Sequence, residues 1–116
     1  MCLDKVTRRP KENNNIEGVG YVLMFNVNEG GDFEGLCDYG APCSVNKEYM
    51  AKSENIGDYM SGFHIFKNKK DAKEYGFQFN YNYTVKVKYR DVICYGKQND
   101  LRIVVARYRT IIKEVS

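Results

Sequence analysis

The stretch that decides the fold is "YNYTVKVKYRDVICYGKQNDLRIVVARYRTIIKEV", which covers residues 81–115. In its first half, apolar residues alternate with cations, as in "VKVK" at 85–88. This period of two predicts a strand with one exposed face. The half that begins at residue 101 is long and rich in β-branched residues, which predicts a second strand. The polar segment 97–100 predicts a turn, so we expect the two strands to form an antiparallel hairpin.

The second of these strands carries charge on a face that should be buried. Arg107 and Arg109 fall on an otherwise apolar side of the strand, and burying two guanidinium groups is costly unless each finds a carboxylate. Acidic residues are concentrated in the glycine-rich segment 28–44, at Glu29, Asp32, Glu34 and Asp38. Two arrangements stay open: this segment covers the arginines, or the arginines lie open at an interface with a partner or a second copy.

The residues before the hairpin predict two further strands. "GVGYVLMFNV" at 18–27 is a short apolar run typical of a buried strand. The glycine-rich segment after it predicts a long loop, and residues 45–60 are compatible with either a short strand or a helical turn. "SGFHIF" at 61–66 predicts a strand with Phe63 and His64 on opposite faces.

A short helix should follow this second strand. Asn68 is a suitable N-cap for a helix over "KKDAKEY" at 69–75, and Gly76 is placed to end it. "KNKK" at 67–70 is then the turn from the strand into the helix, and its lysines are expected on the solvated face of that helix.

These elements predict an α+β domain, a twisted and mainly antiparallel sheet with one or two short helices. The 116 residues fit one domain, which we place at 17–116. Residues 1–16 are polar, contain a triple asparagine and show no periodicity, so they predict a flexible N-terminal arm.

Composition limits the class of protein. No apolar run approaches the roughly 20 residues that a membrane helix requires, and the first residues lack the apolar core of a signal peptide. We therefore expect a cytoplasmic protein with no membrane partner. The net charge of +3, with most cations in the second half of the chain, favours an anionic partner.

The cysteines give little indication of a metal centre or a disulfide. Without an export signal the thiols should be reduced, and Cys37 and Cys43 in "CDYGAPC" are spaced more widely than the cysteines of most zinc sites. We predict no metal and no cofactor. After removal of Met1, however, the thiol of Cys2 would lie beside an amine and could serve as a nucleophile.

The strings "MCL", "GFH", "DAKEY" and "VVAR" resemble those of a group of small proteins encoded by bacteriophages and prophages. The resemblance covers roughly residues 18–113 and the first three residues. It implies a phage or prophage origin and a location in the cytoplasm of the bacterial host, and it implies no particular activity.

A more distant resemblance is to ADP-ribosyltransferases, in which a strand of Gly and aromatic residues leads into a helix that ends on Tyr. "GFHIF" followed by "DAKEYG" is similar to that unit. The His or Arg of that family's first strand has no counterpart in "GYVLMFN", and only Asp100 lies near the place of its late glutamate. If the fold is shared, the resemblance implies that the catalytic residues are absent or replaced.

No catalytic constellation is evident, so we predict a binding protein rather than an enzyme. The predicted binding residues, taken from the motif, the tyrosines and the arginines, are Phe63, His64, Tyr75, Tyr89, Arg107 and Arg109. The expected partner is a host bacterial protein or a nucleotide, and the expected role is to inhibit a bacterial defence system, in the manner of an anti-CRISPR protein.

Other functions stay open. One alternative is an ADP-ribosyl-type or cysteine-dependent enzyme. Another is a nucleic-acid-binding module that uses the last hairpin, where arginines and tyrosines could contact phosphates and bases. Association into a homo-oligomer is also compatible with the sequence.

Overall fold

The structure, a computed structural model, describes residues 3, 5–11, 14–24, 26–27, 33–34, 43–51, 55–56, 59–60, 62–78 and 83–115. The strands are β1 (Lys5–Arg8), β2 (Glu17–Met24), β3 (Asn26–Val27), β4 (Phe33–Glu34), β5 (Glu48–Met50), β6 (Asn55–Ile56), β7 (Tyr59–Met60), β8 (Phe63–Phe66), β9 (Tyr83–Gln98) and β10 (Leu101–Glu114). One helix, α1 (Lys69–Gln78), lies between β8 and β9 within the described part of the chain.

The hairpin of β9 and β10 forms the centre of a six-stranded sheet. β2 pairs with the first part of the outer edge of β9, and β1 pairs with its last part. In the same way, β8 pairs with the first part of β10 and β5 with a later part. β2 also pairs with β8, through Tyr21 and Phe66, and this contact closes β9, β2, β8 and β10 into a ring. These strand pairings are all antiparallel, which confirms the mainly antiparallel α+β class. β3 with β4 and β6 with β7 form separate two-stranded sheets.

The turn of the hairpin lies within the predicted segment 97–100 but is shorter than it, because Lys97 and Gln98 belong to β9. Gln98 pairs with Leu101, and the two residues between them, Asn99 and Asp100, have φ values of 50° and 63°. Positive φ at both central residues is the mark of a type I′ turn, whose twist matches that of the flanking strands. Asn and Asp tolerate this backbone conformation better than most other residues.

Buried apolar side chains form two clusters, one on each face of the sheet. We name the larger the main core: it comprises Val22, Met24, Cys43, Ala51, Phe63, Ile65, Val85, Val87, Tyr89, Val92, Val104, Ala106 and Ile111. We name the smaller the helix-side core: it comprises Leu23, Phe66, Ala72, Tyr75, Cys94, Ile103 and Val105. α1 packs against β2, β8 and β9 and contributes Ala72 and Tyr75 to the helix-side core.

The side-chain alternation of the hairpin reverses at its middle. On β9, odd-numbered residues up to Tyr89 face the main core, whereas the next residue to do so is Val92. On β10 the change comes between Ala106 and Ile111. Ile93 is an extra residue in β9 at this point, because Ala106 pairs with Val92 and the residue before it pairs with Cys94. The hairpin therefore bends here, as β-bulges cause strands to do.

Asp91 occupies the bend and is held there from two sides. Its φ of 58° is a strained value for a residue with a side chain. Its backbone N–H donates to the carbonyl oxygen of Ile16 (2.9 Å), and its carboxylate accepts a hydrogen bond from Nε of Arg107 (3.0 Å). Both side chains are largely removed from solvent, so this ion pair fixes the two strands at the point where both change direction.

Asn14 fills the gap that the bend leaves on the outer edge of β9, between the end of β1 and the start of β2. Its side-chain oxygen accepts from the N–H of Val92 (3.1 Å) and from that of Ile16 (3.2 Å). Its amide group donates to the carbonyl oxygens of Val92 (2.8 Å) and Lys11 (2.6 Å). One side chain thus satisfies the backbone groups that a neighbouring strand would otherwise pair.

Several local predictions are confirmed and others are wrong. Asn68 caps α1, since its side-chain oxygen accepts from the N–H of Asp71 (2.8 Å). The helix does not end at Gly76 but continues to Gln78, and Gly76 is buried, which a residue without a side chain permits. The predicted strand at 18–27 is divided into β2 and β3. The segment predicted as an arm contains β1, which sequence analysis did not predict. How mobile that segment is stays a prediction.

The described helix of ten residues is too short and too polar to cross a bilayer, and the described part of the chain contains no other candidate for a spanning helix.

The ion pair at the bend should be needed for stability. We expect Asp91→Asn to lower the free energy of unfolding by about 2 kcal/mol, because Asn accepts the same backbone conformation but removes the charge opposite Arg107. Asp100→Asn is the matched control, since Asp100 also has positive φ but is exposed in the turn. Urea denaturation of the three proteins measures the difference. Equal stability of the two variants would contradict a structural role for the pair.

Ring closure depends on a close approach of β2 to β8 at Gly20. A Cβ atom at this position would lie 2.7 Å from the carbonyl oxygen of Phe66 and would also overlap the side chain of Ile65. At Gly18 a Cβ atom would meet the outer end of the Tyr89 side chain instead. Backbone can move away less easily than a side chain, so the two glycines should respond differently to substitution.

We therefore expect Gly20→Ala to lower the free energy of unfolding by about 3 kcal/mol, the range of an overpacked core, and Gly18→Ala to cost clearly less. Thermal and urea denaturation of both variants provide the comparison. If Gly20→Ala is as stable as Gly18→Ala, the closure of the ring does not depend on the missing side chain.

Candidate anion-binding site

Cations from three strands lie side by side at the turn end of the hairpin. Lys97 on β9 pairs with Lys5 on β1 along one edge and with Arg102 on β10 along the other. Residues directly opposite each other in an antiparallel sheet point to the same face. The three cations therefore form a continuous row across β1, β9 and β10.

Lys67 extends this row by one more strand. The last residue of β8, Phe66, pairs with Ile103, so Lys67 comes next to Arg102 in the same register. We call Lys5, Lys97, Arg102 and Lys67 the cationic row. All four residues are exposed. Lys67 lies in the turn from β8 into α1, as predicted, but it precedes the helix and does not belong to its solvated face.

A concave surface with a volume of about 330 Å³ accompanies the row. Its lining includes Thr7, Arg8, Lys67, Tyr95, Lys97 and Arg102. Tyr95 lies among the cations: the guanidinium carbon of Arg8 is 5.7 Å from the centroid of its ring, and Nζ of Lys67 is 5.5 Å from it. These are cation–π distances, so one aromatic ring orients a cation from β1 and one from the end of β8.

The backbone also holds this edge of the pocket in place. The hydroxyl of Thr7 donates to the carbonyl oxygen of Tyr95 (3.2 Å). β1 approaches β9 so closely that a Cβ atom at Gly96 would overlap the backbone of Lys5 and lie 2.6 Å from the side chain of Leu3. β1 is therefore packed tightly enough to place Arg8 beside the pocket.

Two arginines elsewhere in the described residues have carboxylate partners. Arg90 binds Glu48 through two hydrogen bonds (2.9 and 2.7 Å) and stacks on Tyr108, whose ring centroid is 3.7 Å away. Arg107 is paired with Asp91. The hydrogen bond between Glu48 and Arg90 lowers the pKa of that carboxyl group. Among the residues that the structure describes, no such ion pair involves Arg8 or any member of the cationic row.

Like charges placed directly opposite each other destabilise a sheet, by about 0.5 kcal/mol per pair. The row holds three such adjacent pairs, and nothing in the fold requires cations at these exposed positions. An anion bound among them would remove the repulsion and gain charge-assisted hydrogen bonds. The arrangement is therefore suited to binding a negatively charged group.

The residues that sequence analysis selected as binding residues lie elsewhere. His64 and Phe63 are buried on β8, and Tyr89 is buried in the main core. Tyr75 is buried in the helix-side core, where its hydroxyl accepts a hydrogen bond from Nε2 of Gln98 (3.1 Å). Of the six residues only Arg107 is partly exposed, and it belongs to the bend. Their role in binding stays a prediction.

Arg109 and Phe63 are the two predicted binding residues that the fold brings into contact. The side chain of Arg109 is 1% exposed, and its guanidinium carbon lies 4.3 Å from the centroid of the Phe63 ring. Its Nη2 donates to Sγ of Cys43 (3.3 Å). The acidic segment 28–44, which covers the arginines in one of the two arrangements left open above, lies mostly outside the described residues, so that arrangement is not tested.

The described cysteines do not form a metal centre. Cys43 belongs to the main core and Cys94 to the helix-side core, and no group of three potential ligands occurs among the described residues. Burial raises the pKa of Cys94 to about 11, so its thiol stays protonated. Cys2 and Cys37 lie outside the described residues.

Sequence analysis identified the basic second half of the chain but not this site. Lys97 and Arg102 were part of that charge excess, whereas Arg8 and Lys5 were assigned to an arm. The only signal for β1 was the alternation of Lys5, Val6 and Thr7, which is too short to distinguish a strand from a loop.

Comparison with known proteins gives no family assignment. No family model, no curated protein and no solved structure matches this chain. The resemblance to phage proteins and to ADP-ribosyltransferases therefore stays a prediction, and the site must be interpreted from its own chemistry.

His64 should make stability depend on pH. It is 6% exposed, and burial lowers its pKa to about 4, although a hydrogen bond from Nδ1 to the carbonyl oxygen of Gly62 (3.2 Å) acts in the opposite direction. In the unfolded chain its pKa is about 6.5. Below that pH the unfolded chain binds a proton that the folded protein does not bind, so stability falls as the pH decreases toward 4.

We expect the free energy of unfolding to decrease by about 2 kcal/mol between pH 7 and pH 5. His64 is the only histidine, so most of this decrease should be absent in His64→Gln, whatever the stability of that variant at pH 7. Urea denaturation at both pH values measures the difference. An equal decrease in both proteins would show that His64 is not buried in its neutral form.

Proposed function

We propose that this chain is a binding protein whose ligand is a nucleotide, held through its phosphate at the cationic row. The observation that carries the proposal is the row itself, in which four exposed cations from four strand positions lie together without an ion pair to a described carboxylate. An anion bound at the row would balance these charges.

The composition of the pocket favours phosphate over other anions. Arg102 and Arg8 offer planar groups of donors that match phosphate oxygens, and the lysines add flexible point charges. The volume of about 330 Å³ lies at the lower end of the range for small-molecule sites, and it is larger than a simple inorganic ion requires. A phosphate with an organic group attached fits both the charge and the size.

The resemblance described above supplies a biological context for this proposal. A small phage-type accessory protein that binds a nucleotide can act on a bacterial defence system by removing a nucleotide that the system uses, without any catalysis. Binding of a host protein instead, an ADP-ribosyl-type or cysteine-dependent activity and the ADP-ribosyltransferase-like fold all stay predictions, since no contact among the described residues favours them.

The proposal is tested by reversing one charge of the row. We expect Arg102→Glu to weaken the binding of ATP, measured by isothermal titration calorimetry, by at least about tenfold, because it removes a charged donor and adds a repulsive carboxylate. Lys113→Glu is the matched control: Lys113 is exposed on the same strand, changes the net charge equally and lies at the opposite end of β10. Its affinity should stay within about twofold of the wild type.

Equal weakening by both substitutions would indicate a general effect of net charge and would contradict a site at the row. Circular dichroism and melting temperature of both variants establish that they are folded.

A further inference from the structure

The length of the cationic row identifies the class of nucleotide. Neighbouring strands lie 4.7–4.9 Å apart, so the three steps from Lys5 to Lys67 cover about 14 Å. One phosphate group can contact adjacent members of such a row but cannot reach both ends. We propose that the ligand carries a chain of two or more phosphates, as a nucleoside di- or triphosphate does, and that this chain lies across the strands along the row. This inference rests on the proposed function.

The number of charges leads to the same class. With Arg8, five cations surround the site, whereas a single phosphate monoester carries a charge of about −1.5 to −2 at neutral pH. A monophosphate would leave most of the repulsion within the row in place. Each further phosphate in a chain adds negative charge where the next cation lies.

The two ends of the row have different roles in this arrangement. Lys67, at one end of the row, lies inside the pocket on the ring of Tyr95, which Arg8 of β1 also contacts. At the other end, Lys5 continues the row beyond the pocket, on the edge strand β1. Lys5 is therefore the cation that a short ligand does not need and a longer phosphate chain contacts.

A nucleic-acid strand suits the same charges less well. The exposed lysines Lys69, Lys70 and Lys73 belong to α1, which packs on the helix-side core. The row continues the main-core face of the sheet, since Lys97 and Arg102 share that face with Val104. The helix lysines thus do not extend the row into a path for a long polyanion.

The experiment measures the affinities of AMP, ADP, ATP and inorganic tripolyphosphate by calorimetry, for the wild type, Lys5→Ala and Lys113→Ala. We expect affinity to increase about tenfold from AMP to ADP and to increase again to ATP, with tripolyphosphate close to ATP. Lys5→Ala should reduce the ratio of ATP affinity to AMP affinity by about tenfold. Lys113→Ala should leave that ratio unchanged.

The possible failures are distinguishable. If AMP binds as tightly as ATP, or if Lys5→Ala leaves the ratio unchanged, this inference is wrong and the proposed function stands. If none of the four compounds binds, the proposed function itself is wrong. A single-stranded oligothymidylate that binds more tightly than ATP, with an affinity that falls steeply with salt, would replace the nucleotide by a nucleic acid and overturn the inference.

Discussion

The ion pair between Asp91 and Arg107 is the constraint on which the rest of the structure depends. β9 has 16 residues, so as a straight strand it would extend for about 53 Å, whereas the longest dimension of the molecule is 38 Å. The hairpin therefore has to bend. It bends at the place where Asp91 has a left-handed backbone conformation and β9 contains a bulge. Three kinds of contact offset the energetic cost of that conformation. They are the ion pair, the hydrogen bond to Ile16 and the hydrogen bonds of the Asn14 amide.

The bend determines where everything else can attach. It divides each long strand into two parts, and each part accepts its own short neighbour, so that β2 and β8 are brought together at Gly20 and close the ring. Near the hairpin turn, β1 therefore lies beside β9 and the end of β8 lies beside β10. The cationic row lies there: its members are residues 5, 67, 97 and 102, and the strand pairings beside the hairpin turn make them neighbours.

Sequence alone predicted the elements with strong local signals. The alternation in β9, the β-branched residues of β10, the turn and the Asn68 cap all depend on residues close together in the chain, and all are confirmed. The bend was not predictable in this way, because a period of two gives no sign of where a strand reverses its faces. For the same reason the binding residues selected from β8 and β10 lie mostly in the interior. The site was missed because its charges converge only through register between distant strands, and β1 is too short to show its own period.

The pairing of β2 with β9 also affects how the protein forms in the cell. Val22 and its partner Val85 lie more than sixty positions apart, so during synthesis the apolar residues of β2 leave the ribosome long before their neighbours exist. β9 and β10, by contrast, meet through a two-residue turn and can pair as soon as both are present. We therefore expect the hairpin to form first and the earlier strands to add to it. In the interval the apolar residues of β2 lack the strand that covers them in the folded protein.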